Sequence, residues 1–89
     1  MVSVTAHPEA EGWTCEVDVE HAGQHTHHTV KVTRRDLDRW GRGNVDDLVR
    51  RSFDFLLERE PPSSILKRFE LGVIERYFPE YDEMMRRRP

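Results

Sequence analysis

Five histidines, one cysteine, a few paired acids and a C-terminal run of three arginines are the residues of this 89-residue chain whose types could do chemistry. His21, His25, His27 and His28 crowd one stretch, with His7 further off. Imidazoles that converge with a carboxylate hold divalent metals. If residues 13–33 form a β-hairpin, His25 and His27 share its wet face and Glu20 lies across from His27, which offers two nitrogens and an oxygen to one ion. His21 and His28 fall on the opposite face, so the four do not converge, and no resident cofactor is expected. Cys15 could act as a nucleophile with a nearby histidine. Its strand parity turns it inward, beside Val17 and Val32, where a thiol behaves as a small hydrophobe. Glu58 with Glu60, and Asp82 with Glu83, could form acid/base pairs only in a pocket that separates their pKa values. They map to helix backs or ends instead. The chain has no Gly-rich phosphate loop and no G-x-S-x-G, C-x-x-C or H-E-x-x-H motif. No residue set combines nucleophile, base and stabiliser, so the expectation is a protein that is not an enzyme.

Arg86, Arg87 and Arg88, with Arg68 and Arg76, could touch phosphates. Against this, the formal charge is −3 and acids accompany the basic residues, whereas binding driven by bulk electrostatics needs a positive field. Ile65–Phe78 has the outline of a helix-turn-helix around Gly72, but Pro79 cuts the second helix too short to lie along a major groove. A small antitoxin-type nucleic-acid-binding regulator is therefore an alternative reading, as is a metal-binding protein.

The elements that must position these groups read clearly in places. Trp13 to Glu20 alternates apolar and polar residues, the period of a strand with one dry face. After Ala22-Gly23-Gln24 the alternation resumes with its parity switched, with His28, Val30 and Val32 now inward. A two-residue type II′ turn at Gly23-Gln24 satisfies both patterns. It sets Val17 opposite Val30, Val19 opposite His28, Cys15 opposite Val32, Glu16 opposite Lys31 and Glu20 opposite His27. Val2, Val4 and Ala6 suggest a third strand, ended by His7-Pro8. Thr33 to Asp36 has the spacing of a capping box, with Asp36 in the usual glutamate place. The short helix it opens carries Leu37 and Trp40, and Gly41 and Gly43 end it.

Asn44 is the N-cap of the main helix, with Asp46 and Asp47 in its first turn, where acids suit the helix dipole. Val45, Leu48, Val49, Phe53, Phe55, Leu56 and Leu57 cover an arc of roughly 200°. An arc so wide needs partners on two sides: the sheet on one, the C-terminal helices or a second subunit on the other. Asp46–Arg50 and Asp47–Arg51 have the spacing of i,i+4 pairs. Pro61-Pro62 stops the helix. Ser63 or Ser64 is then expected to cap a short helix through Ile65, Leu66 and Phe69. A further turn follows at Leu71, Ile74 and Phe78, and a last helix starts at Pro79 with Tyr81, Met84 and Met85.

Ser52 to Tyr81, SFDFLLEREPPSSILKRFELGVIERYFPEY, resembles a group of short bacterial proteins of unknown function. Those chains are similar in having an FLLEREP-type helix end, an IL-x-x-F segment and a YFPEY-like stretch before a charged tail. The resemblance covers about a third of the chain. It implies a self-contained small bacterial domain and no particular activity.

These readings give an α+β fold in one domain, residues 1–89: a two- or three-stranded antiparallel meander over 1–33, then a helical part, 34–89, packed on one sheet face. A single cysteine excludes an intrachain disulfide. No apolar run reaches the roughly 20 residues of a membrane span, and the N-terminus lacks the basic and apolar regions of a signal peptide, so a cytoplasmic protein is expected. A domain this small buries only about 60–65% of its unfolded surface. Trp40, Phe55, Tyr77, Tyr81, Met84 and Met85 are a large complement of bulky side chains for it, and aromatics and methionine are enriched at interfaces. The leading expectation is a protein-interaction module, self-associating as a homodimer or bound to a larger partner through an apolar helical face.

Overall fold

A computed structural model describes residues 1–87 of the chain. In order, the elements are β1 (Val2–Glu9), β2 (Gly12–His21), β3 (Gln24–Thr33), α1 (Arg34–Trp40), α2 (Val45–Leu57), a 3₁₀ turn (Pro62–Ser64), β4 (Arg68–Glu70), α3 (Val73–Tyr77) and α4 (Glu80–Arg86). The fold is α+β. Its sheet is mixed, in the order β1-β2-β3-β4, with β1 to β3 an antiparallel meander and β4 parallel to β3.

Three expectations about the meander change. The first is the reach of β1, which runs through Pro8 to Glu9. Met1 and Glu20 exchange both backbone hydrogen bonds. In an antiparallel ladder such pairs alternate, so odd residues of β1 bond β2 and even ones face the open edge. Pro8 is even, so its nitrogen, which has no hydrogen, faces outward where no ladder bond is lost. The second is the register. His21 and Gln24 close the β2–β3 hairpin. The turn is Ala22-Gly23, with φ of 53° and 80°, the positive pair of a type I′ turn. Val17 therefore faces His28, Cys15 faces Val30 and Trp13 faces Val32, while Asp18 faces His27 and Glu20 faces His25. The shift is two residues along the strand. A one-residue slip would have turned the valines outward, but a two-residue slip keeps the same face dry, so alternation alone cannot choose between these registers. Gly12, at the start of β2, packs against β3 so closely that a Cβ there would lie 2.0 Å from the Val32 carbonyl oxygen.

The third is β4. After the 3₁₀ turn at Pro62–Ser64 the chain forms a strand at Arg68–Glu70, not a helix through Phe69. The Thr29 amide donates to the Lys67 carbonyl at 2.7 Å and the Leu71 amide to the Lys31 carbonyl at 2.9 Å. Residues 67–71 thereby satisfy backbone groups of β3 that would otherwise form an open edge. A parallel partner needs a long crossover, and α1 and α2 supply it.

The N-caps of α1 and α2 form as the sequence indicates, whereas neither Ser63 nor Ser64 caps a helix. Thr33 and Asp36 bond each other's backbone N–H, closing the capping box, and the Asp47 amide donates to the Asn44 side chain at 3.1 Å. Arg51 pairs with Asp47 at 2.9 Å and also donates to the Trp40 carbonyl, tying α2 to the end of α1. Asp46 and Arg50 form no ion pair among the described residues. Helix α2 does meet partners on two sides. Phe53 packs with tilted rings against His28 of β3 and Phe69 of β4, with ring centres 5.3 and 6.1 Å apart, while Phe55 meets Phe78 and Tyr81 edge-on at 5.8 and 5.2 Å. The core joins Cys15, Val17, Val19, Val30 and Val32 to Leu48, Phe53, Leu71 and Tyr81.

Candidate functional site

The six side chains expected to form an interaction surface divide sharply. Trp40, Phe55, Tyr81 and Met85 are buried in the core, and only Tyr77 (68% exposed) and Met84 (44%) reach solvent. The apolar face expected on α2 and α4 is thus largely consumed inside the molecule. Trp40 packs edge-on against Tyr81 at 5.1 Å and donates its indole N–H to Asp82 at 2.8 Å. Tyr81 is held by Ser52 at 2.7 Å, and burial keeps its hydroxyl far from ionisation. Arg59 lies over the Phe55 ring at 3.6 Å. These contacts complete a core.

The exposed apolar surface lies elsewhere. The C-terminal end of α2, the 3₁₀ turn, β4 and α3 enclose a groove of about 410 Å³. Leu56, Ile65, Phe69, Ile74 and Phe78 are among its lining residues, and Leu66 (50% exposed) and Tyr77 also line it. The local sequence explains the shape. Pro61-Pro62 breaks α2 and turns the chain back to β3, and the three residues of β4 are followed at once by Leu71-Gly72 and the single turn of α3. Segments this short cannot close over one another. The groove has one carboxylate, Glu60, which burial pushes toward the neutral form. Of the expected interaction residues only Tyr77 belongs to the groove. Leu66 and Val73 are new to a site, their only sequence signal an apolar run too short to show a period, and Glu60, expected at a helix end, lines the groove as well.

The outer face of the sheet carries the histidines. His27 places Nδ1 2.9 Å from Asp18 and Nε2 2.7 Å from Glu16. Both ring nitrogens face carboxylates, so both donate, and these bonds raise the pKa of His27 while lowering those of Glu16 and Asp18. An imidazolium so held has no lone pair for a metal, and the two acids sit on opposite sides of the ring. His25 is 3.9 Å from Asp18, and Glu20 faces His25 instead of His27. The site expected from Glu20, His25 and His27 does not assemble. Among the described residues no group of three or more His, Cys, Asp or Glu side chains is placed to hold a metal ion.

His28 is the buried exception. Its Nδ1 is 2.8 Å from the Leu66 carbonyl and must donate, so in the neutral ring Nε2 accepts from the Thr26 hydroxyl, also at 2.8 Å. Burial lowers its pKa. Its task is structural: it fastens β3 to the segment that forms one wall of the groove.

The Cys15 thiol is fully buried and pushed up to about 11, chiefly by desolvation, with Asp46 and Glu16 adding to it. A thiol in that state is a poor nucleophile. Arg86 pairs with Asp82 and Arg87 with Glu83, each one helical turn back. Arg88 lies outside the described residues. Glu58 and Asp82 are taken up by Arg59 and by Arg39 with Arg86. No protein-family model, curated protein or solved structure matches this chain. Among the described residues no helix is long and apolar enough to cross a membrane.

Proposed function

We propose that this protein is a non-enzymatic interaction module, with its helical half seated on the dry face of the sheet, and that it binds another protein through the groove between α2, β4 and α3. The observation that carries this reading is the pairing of an apolar floor with two large exposed side chains, Leu66 and Tyr77, at one place. Apolar residues scattered singly need no explanation, whereas a contiguous apolar depression marks a contact site. Every residue lining the groove falls within Ser52–Tyr81, the stretch on which the resemblance to short bacterial proteins rests. Since Phe55 and Tyr81 are buried, substituting them would test folding, so the experiment uses the rim. A photo-crosslinking amino acid is placed at residue 77 and, as a control outside the groove, at residue 84, in cells that make the protein. A discrete adduct from position 77 and none from 84 supports the groove. Equal yields from both, or adducts from 84 alone, refute it.

Self-association is a second reading with its own observation. The open edge of β1 from Val2 to Ala6 holds no charged residue, and Val2, Val4 and Ala6 are only half-buried. Lysines that usually guard an edge are missing, and only Pro8 interrupts the outward N–H groups. Pro8→Val should therefore strengthen association in sedimentation velocity at rising concentration. A variant that stays monomeric at the highest concentration would remove this reading.

A further inference from the structure

Among the described residues Glu60 is the one charged residue lining the groove, and none of them supplies it a counter-ion there. Neighbouring carboxylates are differently placed: Glu58 and Glu80 are engaged by Arg59, and Glu75 of α3 by Arg39. No Lys, Arg or His nitrogen approaches Glu60 within 4.0 Å among the described residues. The half-buried carboxylate is also flanked by apolar surface, where an incoming cation would meet less competition from water than on an open face. The chain as a whole carries a formal charge of −3, which favours approach of a basic partner.

We propose that the groove takes an amphipathic peptide segment of a partner protein, with two large apolar side chains on its floor and an adjacent lysine or arginine against the Glu60 carboxylate. This rests on the interaction reading above and adds to it the chemistry of the partner. The volume of about 410 Å³ suits a pair of anchoring side chains. The rim residues Leu66 and Tyr77 then flank the backbone that carries them. An amphipathic helix with apolar anchors three or four residues apart presents this arrangement, and a basic residue one turn further along reaches the groove end at Glu60, just past the C-terminus of α2.

The test is a selection of random twelve-residue peptides, displayed on phage, against the full chain. The recovered consensus peptide is synthesised and titrated by fluorescence anisotropy. Proteins compared are the wild type, Glu60→Gln, Glu60→Lys and Tyr77→Ala, each checked for an unchanged circular dichroism spectrum. Both substituted side chains reach solvent, so these variants fold. The expected consensus pairs two apolar residues with a Lys or Arg. Glu60→Gln should weaken its binding about tenfold, the scale of a charge-assisted contact, and Glu60→Lys further. Changing the peptide's basic residue to Gln should remove the sensitivity to Glu60. If peptides bind in a Tyr77-dependent way but with no basic residue and no response to Glu60→Gln, the cation pairing is wrong while the groove stands as a contact site. If no recovered peptide depends on Tyr77, the interaction reading itself fails.

Discussion

Removing the serine hydroxyl at position 52 should cost more stability than removing the tyrosine hydroxyl at position 81, although the two atoms belong to one hydrogen bond. The Ser52 Oγ donates to the Leu48 carbonyl at 2.8 Å, which uses its only hydrogen. The 2.7 Å contact between Ser52 and Tyr81 must then be donated by the tyrosine. Both side chains are fully buried. In Tyr81→Phe the serine keeps its own donor satisfied and only an acceptor position is vacated, so the loss is that of one net hydrogen bond, about 0.5–1.5 kcal/mol. In Ser52→Ala the tyrosine O–H is stranded at zero exposure. Leaving a buried donor unpaired costs about 1–3 kcal/mol. The double variant has neither orphan and should be close to Tyr81→Phe alone, so the two changes couple strongly. In a domain of this size 1 kcal/mol moves the melting temperature by roughly 4–8 °C. Urea titrations followed by tryptophan fluorescence and by circular dichroism, with equal slopes across the four proteins, supply the cycle. Additive losses, or Tyr81→Phe the more damaging single change, would refute the assigned donor direction and the importance of burial at this point.

Other outcomes follow from the same physical reasoning. His28 has its pKa lowered by burial, so the unfolded chain takes up a proton that the folded one resists, and stability falls as pH drops below the ordinary histidine value near 6.5. His27 has the opposite sign: its pKa is raised, so its contribution is complete below 6.5 and fades as pH rises through the folded value. Between pH 7.5 and 5.5, where Glu16 and Asp18 stay ionised, His27→Gln should steepen the acid loss and His28→Gln should flatten it in urea midpoints. Cys15 should react with Ellman's reagent only as fast as the chain opens, and at once in denaturant, because the native thiol is buried and its pKa is about 11; fast native labelling would contradict the packing of β2. Ala22 holds a left-handed φ of 53° before Gly23, so Ala22→Asn should raise stability by about 0.5–1 kcal/mol in the same titrations.

Which parts of this architecture the sequence discloses depends on how each is encoded. Caps and breakers are local. Thr33 with Asp36, Asn44 with Asp47, and Pro61-Pro62 act within four residues, and each does so where the spacing says. Strand faces are nearly as local, because one period-two pattern fixes them, and Val17, Val19, Val30 and Val32 are indeed dry. Register is not local. The turn chemistry of Gly23-Gln24 argues for one pairing, yet the hairpin accepts a left-handed alanine for another. That other pairing brings Asp18 and Glu16 onto both nitrogens of His27 and sets Thr29 opposite Glu16, whose carboxylate accepts from the Thr29 hydroxyl at 3.0 Å. Several side-chain bonds outweigh one unfavourable backbone angle of about 1–2 kcal/mol. β4 escapes for a different reason: three residues show no period, and what makes them a strand is the free edge of β3, some 40 positions earlier in the chain.

The same distinction explains why the groove was hidden while the aromatic surplus was plain. An apolar arc of roughly 200° on α2 demands two partners, but nothing in the arc says whether the second belongs to another molecule. Tyr81 resolves this from inside the chain. Its ring meets both Trp40 and Phe55, its hydroxyl is bound by Ser52, and α4 is thereby drawn onto the side of α2 that a partner would otherwise cover. With α4 spent on that task and β4 spent on the edge of β3, only the single turn of α3 remains beside the last turn of α2. Five residues of helix cannot roof a space bounded by Leu56, Ile65 and Phe69. The exposed apolar groove is thus the remainder left when two short segments satisfy stronger demands elsewhere. Its position follows from those demands, and among the described residues no element covers Tyr77 on its rim.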